Sequence, residues 1–345
     1  MPADAKFRMI EVTCENAAEY LRSKGWLTGS AATVQTLGGG VSNMVLRVTT
    51  PERNFVVKQS RPQLRTRDAW FSDIDRVFRE VEVMRLLFGI LPGGTVPEVL
   101  FADPEDYLFG MTAAPEGARV WKESLLAGRT SSPVARRAGL ILGLMHERTA
   151  RRPELAESLG DRRVFTQLRT EPFYHRVRER LPDTSDAVTA LLGEMHATQE
   201  ALCHGDFSPK NFLVHPVPAH GPFTLVDYET AHYGDPAMDI GFFLSHLVLK
   251  AIKHDAQRES YFLLTEAFWK SYSAIVRFRP VEELEARGIR HFAVCLLARI
   301  DGTSPVDYLP EDAKREAVRR LGRQVLQTQP GRWSEVLKLA EAVSR

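Results

Sequence analysis

Between residues 201 and 229 the chain reads ALCHGDFSPKNFLV, then an insert, then TLVDYE, and three side chains in that stretch can handle a metal or a proton: Asp206, Asn211 and Asp227. Asp206 and Asn211 stand five positions apart between two short apolar runs, 201–203 and 212–214, which the pattern predicts as strand ends. In phosphoryl transfer from ATP, one carboxylate takes the proton of the acceptor hydroxyl. An amide oxygen and a second carboxylate hold the magnesium ion that bridges the phosphates. Asp206 suits the first role, and Asn211 and Asp227 suit the metal. Taken singly, Asp, Pro and Asn build tight turns for local reasons. The ordered set, followed by an apolar strand that ends in Asp227, asks for more than a turn.

Such a loop needs a partner region that holds the nucleotide. Periodicity predicts strands over 31–37, 44–49, 55–59, 96–102 and 107–112, a five-stranded antiparallel N-terminal lobe with one main helix over about 72–91. Gly38-Gly39-Gly40 marks the first hairpin turn, where backbone N–H groups can approach phosphate oxygens, and Ser42 and Asn43 can cap it. Lys58 closes the third strand. In phosphotransferases a strand lysine reaches the α- and β-phosphates and is held by a carboxylate of the next helix. Glu80, beside the apolar stripe Val77, Val81, Met84 and Leu87/Phe88, fits that pairing, with Glu82 in reserve. Residues 111–117, with Met111, Ala113, Ala114 and Pro115, are expected to meet the adenine edge as a hinge. The expected domains are therefore 1–112, a hinge at 113–117, and a mostly helical lobe over 118–345.

In that second lobe the period turns helical over 121–127, 132–146, 164–181 and 185–198. A further helix opens at Asp235-Pro236, with Asp as N-cap and Pro in the first turn. His146, Arg151 and Arg152 read as solvated helix-end groups, and Cys203 as a small core residue.

Composition narrows the classes. At 345 residues, 44% hydrophobic and 26% charged, with a net charge of +1, the chain has room for two lobes and no global attraction to nucleic acid or an anionic membrane. The N-terminus lacks a signal-like apolar run, and 240–249, the strongest apolar stretch, is too short to span a bilayer. Cys14, Cys203 and Cys295 are odd in number and widely spaced, as suits reduced thiols in a cytoplasm.

The His-Gly-Asp, four residues, Asn, then Asp-x-Glu pattern resembles the aminoglycoside phosphotransferase and choline kinase-like superfamily, which has a bilobal protein kinase-like α+β fold. Within it the nearest likeness is to the methylthioribose kinases, carried by Lys58-Gln59, Pro62, Leu64-Arg65 and Trp70, by Tyr233-Gly234 and Asp239-Ile240-Gly241, and by Ala298-Arg299-Ile300-Asp301-Gly302. The resemblance implies an ATP- and Mg2+-dependent kinase with an alcohol group as acceptor. Gly39, Gly40, Ser42, Asn43, Lys58, Glu80, Met111 and Ala113 would lie toward the nucleotide, and Asp206, Glu229 and Arg299 toward the acceptor. It also implies that Asp239 supports the backbone of the His-Gly-Asp loop. Residues 311–345 carry eight Lys/Arg against five Asp/Glu, which favours a neutral or anionic sugar-like acceptor over a polycation. Three alternatives stay open: an aminoglycoside or amino-alcohol kinase, a nucleotide-binding pseudokinase, and a metallohydrolase using His204, Asp206, His215, His220, Asp227 and His232.

Overall fold

The computed structural model describes residues 9–38, 43–61, 72–216 and 223–343. The phosphate-loop candidates Gly39, Gly40 and Ser42, together with Pro62, Leu64, Arg65, Trp70 and His220, lie outside them. The described residues form two compact units. One runs to Gly89 and resumes from Val96 to Pro115; the other takes Ile90–Thr95 and everything from Glu116 onward.

The first unit is an antiparallel sheet of β1 (Thr33–Thr36), β2 (Asn43–Thr49), β3 (Asn54–Ser60), β4 (Val99–Asp103) and β5 (Leu108–Thr112), in the order β1-β2-β3-β5-β4, with helices α1 (Ala17–Ser23) and α2 (Arg76–Ile90). Because β3 is the central strand, residues 55–60 are all buried, and Lys58 lies opposite Val45 on one side and Phe109 on the other. A lysine there is no edge charge, so it needs a counter-ion. Gln59 beside it ties the strand to the N-terminal segment and to the β4–β5 turn. It accepts from the Val12 amide at 2.8 Å and donates to the carbonyls of Ile10 (2.7 Å) and Asp106 (2.8 Å).

Helix α2 starts four residues later than its Ser-Asp signature suggests. The Arg76 guanidinium binds the carbonyls of Ser72 (3.3 Å) and Asp73 (2.8 Å), holding that segment as a turn rather than a first helical turn. Its stripe buries Val77, Val81, Met84 and Leu87 as expected, whereas Phe88 faces solvent.

The second unit contains β6 (Arg119–Val120), α3 (Trp121–Leu126), α4 (Ser132–Thr149), α5 (Pro153–Leu159), α6 (Arg163–Phe165), α7 (Arg176–Arg180) and α8 (Ser185–Ala197). The short strands β7 (Ala201–Cys203), β8 (Phe212–Val214), β9 (Phe223–Leu225) and β10 (His232–Gly234) follow, and then α9 (Pro236–Lys253), α10 (Arg258–Ser273), α11 (Val281–Asp301), α12 (Asp312–Thr328) and α13 (Trp333–Val343). The antiparallel pair β10-β7 and the three-stranded antiparallel sheet β6-β8-β9 frame the stretch 201–229. The segment 90–95 belongs to this unit because Thr95 and Gly94 carbonyls accept from the Leu225 amide (2.7 Å) and the Thr224 hydroxyl (3.2 Å), anchoring β9.

The stretch 164–181 is not one α-helix. Between α6 and α7, residues Thr166–His175 wind as a π-helix with Pro172 inside it. Proline withholds an N–H and crowds the preceding turn, and a wider winding relieves both. The Pro172 carbonyl then accepts from the Thr303 amide at 3.1 Å.

The core of this unit is built where α9 crosses α11. A Cβ on Gly241 would stand 2.3 Å from the Gly288 carbonyl oxygen, so only glycine allows that approach. Among the described residues no helix is long and apolar enough to cross a membrane.

Candidate active site

In the first unit Lys58 Nζ meets Glu80 Oε2 at 2.7 Å, with both side chains almost wholly buried. Glu82 is exposed. A buried ion pair is poor evidence for stability, since desolvation consumes most of the attraction. Its retention in a central strand therefore argues for a use beyond folding. Asn43 opens β2 and its amide oxygen accepts from Arg76 at 3.2 Å. Met111 is buried in β5, and Ala113 follows that strand.

In the second unit the loop from His204 to Asn211 is held from beneath. The Asp239 carboxylate accepts from the backbone N–H of His204 (2.6 Å) and of Gly205 (2.9 Å). His146 Nε2 donates to it at 3.4 Å and is itself oriented by the Tyr272 hydroxyl, 2.9 Å from Nδ1. His146 is fully buried, which corrects its assignment as a solvated helix-end group. Burial would raise the Asp239 carboxyl, but His146, His204 and the amide donors outweigh it and hold it below the usual carboxylate range. Gly205 has φ +74°, and a Cβ there would stand 2.6 Å from the Thr230 carbonyl oxygen, so the middle residue of His-Gly-Asp is required twice over. Phe207 drops from the loop against Phe212 and Phe243, and Thr149 of α4 binds the Leu202 amide at 3.0 Å. Replacing Asp239 by Ala should therefore cost roughly 2–6 kcal/mol, two orphaned buried donors at about 1–3 kcal/mol each. A denaturant midpoint that stays near wild type would contradict this account.

On this support Asp206 is 3% exposed. Its Oδ2 lies 2.6 Å from both Arg169 Nη2 and Lys210 Nζ. Burial pushes its carboxyl up, but the two cations prevail and hold it below the usual range, so it stays an anion at neutral pH. Asn211 donates its side-chain N–H to the Asp206 carbonyl at 2.9 Å, committing the amide nitrogen and leaving Oδ1 as its ligand-capable atom. Asp227 follows β9 with φ 73°, a backbone region that Asp tolerates better than most residues, and its Oδ2 is 3.7 Å from Lys210 Nζ. An amide oxygen and a carboxylate are hard donors that suit a magnesium-sized cation. Glu229 is buried next to this loop in sequence.

Neither Arg169 nor Lys210 was identified from sequence. Lys210, adjacent to Asn211, was within reach of inspection. Arg169 has no local signature; it sits on the π-helix, where it also donates to the Gly205 carbonyl at 2.9 Å and packs 5.6 Å from the Phe242 ring. Arg299, in the last turn of α11, donates to the Ser304 carbonyl at 2.6 Å while its Nε has no partner.

Among the described residues, the histidines of the metallohydrolase alternative are not gathered with its carboxylates into one metal-binding group. His215 Nε2 pairs with Thr224 at 2.8 Å and His232 packs in a tilted ring contact on Phe165. Among the described residues the close group is His146, Cys203 and Asp239, whose carboxylate already serves two amides. Burial pushes the Cys203 thiol well above its usual range, which makes it a poor ligand.

The chain is similar to known kinases in sequence and in fold. The methylthioribose kinase of Pectobacterium atrosepticum is 25% identical over 319 residues, covering 80% of this chain and 76% of that protein, and that of Exiguobacterium sibiricum is 22% identical, covering 79% and 75%. The fold matches a Plasmodium vivax ethanolamine kinase (TM-score 0.56, 11% identity, 91% of this chain and 89% of that one) and a microcompartment-associated aminopropanol kinase (0.54, 16%, 86% and 93%). The sequence profile named "Phosphotransferase enzyme family" matches residues 33–262. With two thirds of its length matched by that profile, the chain is an ATP-dependent small-molecule kinase and belongs to the phosphotransferase enzyme family, whose members use ATP with a divalent metal and phosphorylate hydroxyl groups of small molecules.

Proposed function

We propose that the divalent ion is magnesium and that the γ-phosphoryl group passes to a hydroxyl of a small, polar, sugar-like acceptor, with methylthioribose the first compound to assay. The observation that carries the chemistry is Asp206, buried yet kept anionic by Arg169 and Lys210, with Asn211 and Asp227 beside it. Magnesium, held by Asn211 and Asp227, would neutralise charge on the phosphates. Asp206 takes the hydroxyl proton as the acceptor oxygen bonds to the γ-phosphorus and ADP leaves. Lys58, fixed by Glu80, engages the α- and β-phosphates. Backbone groups at Met111 and Ala113 face adenine, and Glu229 and Arg299 face the acceptor. The likeness to methylthioribose kinases supports a sugar-like acceptor, and three free thiols are consistent with a reducing cytoplasm. A pseudokinase would have lost one of Lys58, Asp206, Asn211 or Asp227, and all four are present.

An ATP-consumption screen with magnesium over sugars, amino alcohols and aminoglycosides tests this. Turnover with a sugar-like compound is expected; efficient turnover of only ethanolamine, choline or aminoglycosides would refute the acceptor class. The base is tested separately. Arg169→Ala removes one cation from Asp206, so its pKa rises and activity is lost sooner as pH falls. The acid limb of the kcat/KM profile should move to higher pH, and Arg169→Lys should move it less. An unmoved limb would mean that Arg169 does not tune the base.

A further inference from the structure

A second set of cations lies beyond those that hold Asp206. Lys250, on α9, is 1% exposed. Its Nζ donates to the His246 carbonyl of its own helix at 2.9 Å and sits 5.3 Å from the centre of the Tyr308 ring. Two further groups in the same electrostatic neighbourhood are buried polar atoms without hydrogen-bond partners: Arg299 Nε and the Tyr308 hydroxyl. Lys122, on α3, is half-buried, and burial, with smaller contributions from the charges of Arg299 and Lys210, lowers its ammonium.

The charge balance of this cluster is uneven. Arg169 and Lys210 are paired with Asp206. Among the described residues, Lys122, Lys250 and Arg299 make no ion pair with a carboxylate, and Asp307, the acidic group that bears on Lys122 and Arg299, is exposed. Burial, with Lys122 and Arg299 adding to it, pushes the Lys250 ammonium down to about 7, and burial likewise lowers Arg299. Arg169, paired with Asp206, packs 5.6 Å from the Phe242 ring, that ring lies 5.0 Å from His246, and Lys250 donates to the His246 carbonyl, so packed side chains link the cluster to the proposed base within one unit.

A buried ammonium with no counter-ion is costly, and a buried guanidinium Nε and phenol hydroxyl left unpaired add to that cost. An incoming anion removes all three deficits at once. A polycation or a quaternary ammonium compound would increase them.

We propose that the acceptor carries a negatively charged group, a carboxylate or a phosphate, held by Lys250, Arg299 and the Tyr308 hydroxyl with Lys122 at its edge, while its hydroxyl is presented to Asp206. This deepens the kinase assignment and rests on it for the hydroxyl end of the acceptor. It makes the neutral methylthioribose a weak substrate beside a sugar acid or sugar phosphate of similar size. The transfer step is unchanged: the bond from the γ-phosphorus to the β-phosphate bridging oxygen breaks, the bond to the acceptor oxygen forms, and the proton goes to Asp206.

The test has two arms. In the first, turnover is compared for D-gluconate, D-ribose 5-phosphate, D-ribose, methylthioribose and ethanolamine. One of the first two should exceed the neutral sugars in kcat/KM by about tenfold or more, the size of a charged hydrogen bond lost. Which of them wins separates carboxylate from phosphate. Lys250→Met, which keeps the length and apolar stem, should raise the acceptor KM about tenfold and leave that for ATP nearly unchanged. Tyr308→Phe, which removes one oxygen, should act in the same direction if Lys250→Met does not fold. In the second arm, inorganic phosphate and acetate are titrated into the protein by calorimetry without nucleotide. Binding of one, weakened by either variant, supports the anion site even if no acceptor in the panel is turned over, in which case the sugar-like acceptor class proposed above is at fault and not the anion site. Preference for neutral sugars or ethanolamine, or equal behaviour of wild type and both variants toward every anion, overturns the proposal.

Discussion

Asp206→Asn should leave magnesium-ATP affinity close to wild type and reduce turnover by on the order of a hundredfold or more, the usual contribution of a positioned general base. The amide keeps the shape of the carboxylate, so the loop held by Asp239 and Phe207 retains its support. What disappears is the proton acceptor and the anion that Arg169 and Lys210 converge on at 2.6 Å. Turnover is read in a coupled ADP assay and nucleotide affinity by calorimetry. A variant with near-wild-type turnover removes Asp206 from the mechanism. A variant that loses both turnover and nucleotide binding assigns it to the metal instead.

Asp227→Ala should abolish magnesium-dependent nucleotide binding, because phosphates and metal are held as one unit. Asp227 leaves β9 in a left-handed conformation, and β9 is tied down by the Thr95 carbonyl and by pairing with β8. Alanine removes the ligand oxygens and also disfavours φ 73°, so folding is checked by thermal denaturation in parallel. Unchanged magnesium-ATP affinity in a folded variant would end the metal assignment. Lys58→Ala, in the same titration, should weaken nucleotide engagement and leave Glu80 as a buried carboxylate without its 2.7 Å partner. If affinity holds, the pair serves the fold alone.

Much of the site was legible before folding. Asp206, Asn211 and Asp227 are close in sequence, so a loop between two short strands is enough to bring the first two together, and one further strand delivers the third. The pairing of Lys58 with Glu80 was legible because strand and helix periodicities fix which face each residue takes. The N-cap of α9 was readable for the same local reason, and Asp235 does accept from the Ala237 amide at 3.0 Å.

The amino-acid sequence by itself determined the chemical groups and most of the strand and helix periods, because these follow from side-chain identity and short-range pattern, and the kinase-like α+β class was legible through the resemblance of the His-Gly-Asp motif to a known superfamily. Tertiary structure decided which charges meet. Arg169 reaches Asp206 from 37 residues away, on a helix whose π winding no period announces. His146 became a buried prop of Asp239 across 93 residues, though its position near a helix end pointed to solvent. Lys122, Lys250, Arg299 and Tyr308 come from α3, α9, the end of α11 and the loop after it, and the three cations without a carboxylate and the unpartnered phenol hydroxyl become a set only once those elements pack. Burial is what turns such residues from ordinary surface groups into a demand for an opposite charge, and burial is a property of the assembled chain.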